Sequence, residues 1–175
     1  MQSRNESQKG NQFWKVTFDE LPITLDKLQA LPQSQLLQPY DAAALLIPAL
    51  CQWSSNQNAA LEMISFLKGP QVLSKHEIQF INERLRGKEY LPFSYFEGST
   101  PENGYEPTRP YTVTIFSVPT SFDEAGYAKL YLKSSGADSP RPVQLRKKVS
   151  TGEWFLWEQM LLSEIRQPVS VDPWL

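Results

Sequence analysis

"GYAKLYLKS", residues 126–134, alternates without a fault. Ala128, Leu130 and Leu132 fall on one face of an extended chain, and Tyr127, Lys129, Tyr131 and Lys133 on the other. Such a strand belongs to an antiparallel sheet with one face packed and one face in water. Its neighbours agree. "YTVTIFSV" (111–118) is β-branched and aromatic, as strands prefer. "VQLRKKV" (143–149) sets Val143, Leu145, Lys147 and Val149 against Gln144, Arg146 and Lys148. "STG" then gives a connector of hairpin length, and "EWFLWEQ" (153–159) returns. "MLLSEIRQP" extends that strand or folds back as an edge.

Upstream the period changes. "FWKVTF" (13–18) alternates weakly and reads as a strand, broken by "DELP". Thr24 to Leu31 reads as a short helix capped by Thr24 and stopped by Pro32. Ala42, Leu45, Leu46, Ala49, Leu50 and Trp53 recur at helical steps after Asp41 as the cap. Pro48 lacks an amide donor and presses on the carbonyl four residues back, which predicts a kink or two short helices. "NQNAALEMISFLKGP" (56–70) repeats the pattern and ends at Gly69 and Pro70. "SKHE" (74–77) is a capping box opening a helix striped by Ile78, Ile81 and Leu85 and closed by Gly87. The loop 90–110, "YLPFSYFEGSTPENGYEPTRP", is held by its own aromatics or is functional. Helices and strands are segregated, so the expected fold is α+β, an N-terminal helical array packed on a C-terminal antiparallel sheet. The organisation expected is a flexible tail over 1–11 and a single domain over 12–175.

The 175 residues are 41% apolar and 21% charged, which excludes wholesale disorder. The net charge of −2 argues against a dedicated nucleic-acid or membrane-surface protein. No apolar run reaches membrane-helix length, and the polar start lacks a signal peptide's apolar core. Cys51, the single cysteine, has no disulfide partner. A cytoplasmic protein is expected.

"SSGADSPRPVQLRKKVSTGEWFLWEQ" (134–159) stands out for its charge. Over 127–149 six cations (Lys129, Lys133, Arg141, Arg146, Lys147 and Lys148) face one anion, Asp138, a local +5. If Lys129, Lys133, Arg146 and Lys148 share the exposed face with Tyr127 and Tyr131, a basic–aromatic surface results. It suits phosphates, carboxylates or an acidic partner. The competing reading is an ordinary solvated strand face whose lysines discourage edge pairing.

"YLPFSYFEGSTPENGYEPTRPYTV", "SSGADSPRPVQLRKK" and "WFLWEQ", with "FLKGP" and "DPW", resemble a family of small uncharacterised proteins common in gut Firmicutes, the domain of unknown function DUF6935. The resemblance runs from about Leu21 to Trp174 and implies no activity. "LRKKVSTGEW" is similar to the last hairpin of NTF2-like proteins, which implies, as an alternative, a cone-shaped sheet with a pocket.

Enzyme signatures are missing. His76, the one histidine, sits in the capping box, and Cys51 lies on an apolar stripe, so Cys–His catalysis and a zinc site both lack parts. No phosphate-loop, dinucleotide, nucleophile-elbow or EF-hand motif occurs, and no cofactor or metal is expected. The expected function is therefore a binding module for an anionic small molecule or an acidic protein. Its ligand donors are Arg109, Tyr131, Arg141, Arg146 and Lys148. The rival is a small enzyme or small-molecule-binding domain with a pocket between helices and sheet, using Asp138, Glu158 and tyrosines. A third reading is assembly through Trp174, an isolated tryptophan of the kind that anchors interfaces.

Overall fold

The computed structural model describes residues 6–8 and 10–174. Six antiparallel strands follow one another in a single sheet, each beside its predecessor. They are β1 (Glu6–Gln8), β2 (Asn11–Phe18), β3 (Tyr111–Ser117), β4 (Tyr127–Leu132), β5 (Arg141–Lys148) and β6 (Glu153–Gln159). The α+β expectation holds, with one addition. Strands β2 and β3 are neighbours in register, Trp14 opposite Ile115 and Val16 opposite Val113, and all the helices lie between them in sequence. Of the expected tail, residues 1–5 and Lys9 lie outside the described residues; Glu6–Gln8 pairs with Asn11–Phe13.

The helices are α1 (Leu25–Gln29), α2 (Pro39–Cys51), α3 (Gln57–Lys68) and α4 (Lys75–Leu85). Thr24, Asn56 and Ser74 cap α1, α3 and α4 with their side chains. The capping box at Ser74 is reciprocal: the Glu77 amide donates to Ser74 Oγ at 3.1 Å, and the Ser74 amide to Glu77 Oε2 at 2.8 Å. In α2 the cap is Gln38 rather than Asp41. Asp41 lies inside the first turn, where its carboxylate accepts the Gln38 amide at 3.3 Å. The expected break at Pro48 does not occur, and one helix runs through it. Every α2 residue except Tyr40 is buried, so packing on all sides offsets the lost bond.

That burial explains the architecture. Helix α2 lies on the inner face of the sheet, touching β2 to β6, with α3 on its other flank. The inner face supplies Val16, Phe18, Val113, Ile115, Ala128, Leu130, Leu132, Val143, Leu145 and Leu156 to one core. The segment after β6 is irregular rather than a further strand. Leu161 and Leu162 are buried there, and the Leu161 carbonyl accepts the Tyr95 hydroxyl. The long loop contains two 3-10 turns and stacks Tyr90 on Tyr105 with ring centroids 5.4 Å apart. No helix among the described residues is long and apolar enough to cross a membrane.

Candidate anion-binding groove

The exposed sheet face carries what the alternation of β4 implies. Phe13, Phe116 and Tyr131 stack across β2, β3 and β4 at 5.2 and 5.6 Å, and the Lys133 ammonium lies over Phe13 and Phe116. Beyond Lys129, on the same face, stand Tyr127, Arg146 and Trp157. The Arg146 guanidinium lies 4.7 Å from the Trp157 ring and 5.5 Å from that of Tyr127. The two rings meet edge to face at 77°, and the cation rests against both. Among the described residues no acceptor takes any of its N–H groups.

Where the β5–β6 hairpin meets the end of α3, a groove of about 380 Å³ opens, lined by Lys68, Arg146, Lys147, Lys148, Phe155 and Trp157 among others. A bulge between Gln144 and Leu145 shifts the β5–β6 register in this region. Gly69 ends α3 with φ +61°, and the Phe155 ring occupies the space a side chain there would need. No carboxylate lines the groove. Glu153 faces Lys148 across the ladder, but the ion pairs among the described residues are Lys15–Glu97, Lys68–Glu77 and Arg166–Asp138. Arg146, Lys147 and Lys148, three cations of the groove, therefore make no ion pair among the described residues.

The fourth, Lys68, is 2% exposed. Its ammonium donates to Glu77 Oε1 at 2.6 Å and to the Trp157 carbonyl at 3.4 Å. Burial pushes the Glu77 carboxyl up, and the Lys68 ammonium and the Ser74 amide together hold it below its ordinary value. Lys68 also borders a second groove of about 320 Å³ between α2, α3, α4 and β6, lined by Leu46, Ile64, His76, Glu77, Phe80 and Glu158 among others.

Of the residues expected to bind, Arg146 and Lys148 meet in the basic groove. Tyr131 shares their sheet face but stacks on Phe116. Arg141 turns its guanidinium to the carbonyls of Ser139, Ser163 and Glu164, where it ties β5 to the segment after β6. Arg109 lies over Tyr111, at the start of β3. Trp174 is 91% exposed. Asp138 is bound to Arg166, apart from Glu158 in the second groove. Cys51 is buried, which raises its thiol pKa well above the ordinary value, and His76 is exposed.

The sequence reading passed over Lys68 and Trp157 as groove residues. A signal for Lys68 was present: it falls four residues after Ile64, on the apolar stripe of α3, where a cation needs a partner.

A family model described as "Domain of unknown function (DUF6935)" matches residues 20–169. The chain belongs to this family. The match takes in α1 through β6 and every groove residue, and leaves Trp174 outside. No curated protein and no solved structure matches the chain, so the likeness to the NTF2-like hairpin gains no support from a known fold.

Proposed function

We propose that the protein is a binding module that holds an anionic group, on a small molecule or an acidic partner, in the groove between β5–β6 and the end of α3. The observation that carries this reading is Arg146. Its guanidinium lies against Tyr127 and Trp157, it has no acceptor among the described residues, and Lys68, Lys147 and Lys148 line the same opening. A positioned fork of N–H donors loses little freedom when an oxyanion arrives. We place this function in the cytoplasm on the single, buried thiol.

Replacing Arg146 and Lys148 together by Glu tests it. In titrations with inorganic phosphate and with a polyglutamate peptide, binding falls at least tenfold while the melting temperature holds. Unchanged affinity overturns the reading. The second groove supports a rival, because its wall of Leu46, Ile64 and Phe80 beside His76, Glu77 and Glu158 suits a mostly apolar small molecule. A ligand whose binding is blocked by His76→Trp and indifferent to Arg146 favours that rival.

A further inference from the structure

We infer that the anion held by this groove is a phosphomonoester carried on an apolar body. The inference rests on the anion-binding reading and narrows it to one ligand chemistry.

The first argument is charge. Four cationic residues line one opening of about 380 Å³, and no lining residue is acidic. Lys68 is matched by Glu77 and Lys148 faces Glu153 across the ladder, but Arg146, Lys147 and Lys148 make no ion pair among the described residues. A lone carboxylate offsets one of three, whereas a phosphomonoester brings about two negative charges on a single group at neutral pH. The second is geometry. Arg146 rests against the Trp157 and Tyr127 rings with no acceptor among the described residues, so its paired N–H groups are free for two oxygens of one phosphoryl group. Lys148 shares the strand face of Arg146 and makes no ion pair among the described residues, so its ammonium can reach the other oxygens, whereas Lys147 leans over Trp154 at 5.8 Å. The third is the rest of the wall. Pro70, Phe155, Leu156 and Trp157 line the groove with Val149, itself 86% exposed. These groups cover an apolar or aromatic body and do nothing for a free inorganic ion. The groove's size is that of small-molecule sites, which run from roughly 300 Å³ upward.

Two sources supply this chemistry, a nucleoside monophosphate and an aryl phosphate such as a phosphorylated tyrosine ring. The test titrates the full chain with phenyl phosphate, adenosine monophosphate, methyl phenyl phosphate (a monoanionic diester) and phthalate (a dianionic carboxylate). Binding is followed by tryptophan fluorescence and calorimetry. The expected result is that one monoester binds at least tenfold more tightly than both the diester and phthalate. Whichever monoester is tighter identifies the source. Arg146→Lys keeps the charge and removes the fork, and lowers monoester affinity about tenfold or more at an unchanged melting temperature. Lys148→Gln, on an exposed strand end, provides a second loss should the arginine variant fold poorly. If phthalate or the diester binds as tightly as the monoesters, the phosphomonoester inference is overturned and the anion-binding reading stands. If none of the four binds, the phosphomonoester inference is overturned, and the anion-binding reading falls with it when inorganic phosphate and polyglutamate also fail to bind.

Discussion

Lys68 puts an ammonium where only 2% of its side chain meets water, with one carboxylate and one carbonyl to receive it. A buried cation that loses its partner costs about 3 to 5 kcal/mol, whereas an apolar side chain of similar volume in its place is often tolerated. Glu77 is itself 36% exposed and glutamine keeps an acceptor, so Glu77→Gln destabilises the fold by about 1 to 2 kcal/mol, and Lys68→Met by clearly less, as read from urea unfolding. The opposite order refutes this account of the pair. The pair also has a pH signature. The folded Glu77 carboxyl titrates below its unfolded value, so its contribution is present above the ordinary carboxylate pKa and is lost as pH falls through the folded one. The capping box was plain in "SKHE", because its parts are three residues apart. That its glutamate also neutralises a lysine on the preceding helix depends on how α3 and α4 pack.

Helix α2 carries the opposite case. Asp41 is 8% exposed, and burial pushes its carboxyl up to about 6, with the Gln38 amide pulling partly back. A carboxyl raised in the folded state contributes stability below its unfolded pKa, near 4, and loses it as pH rises through about 6. The wild type is thus more stable at pH 4.5 than at pH 7.5 as far as this group decides. Asp41→Asn keeps an acceptor for Gln38 and carries no charge, so its melting temperature relative to wild type rises between pH 4.5 and 7.5. A difference that stays flat across that interval refutes the burial argument. The 3.6-residue stripe of α2 was legible, since it records which side meets a core. The position of the cap and the continuity through Pro48 were not. Both depend on neighbours that bury the helix on all sides.

At the scale of the molecule, the tail end of the chain is held by hydrogen bonds from the long loop and from a tight turn. The Tyr105 hydroxyl donates to the Arg166 carbonyl at 2.5 Å, and the Arg166 amide donates to the Gly136 carbonyl at 2.9 Å. Burial raises the Tyr105 phenol to about 12. Tyr105→Phe leaves the sheet intact and speeds amide exchange at Arg166 by about fivefold, from the loss of roughly 1 kcal/mol of local hydrogen bonding. Equal exchange in both proteins refutes this lock. Local pattern was enough for the elements with a clean period: the alternation of β4, the stripes of α2 to α4 and the basic run on β5. These follow from which side of each segment faces a core, and that choice is written every two or four residues. It also placed Arg146 and Lys148 on one face. Only the tertiary structure decided that β2 pairs with β3 across the whole helical segment, that Arg141 turns to backbone carbonyls, and that Lys68 joins Arg146 at one opening. Contacts between residues far apart in the chain leave no local period, because they are selected by the packing of whole elements.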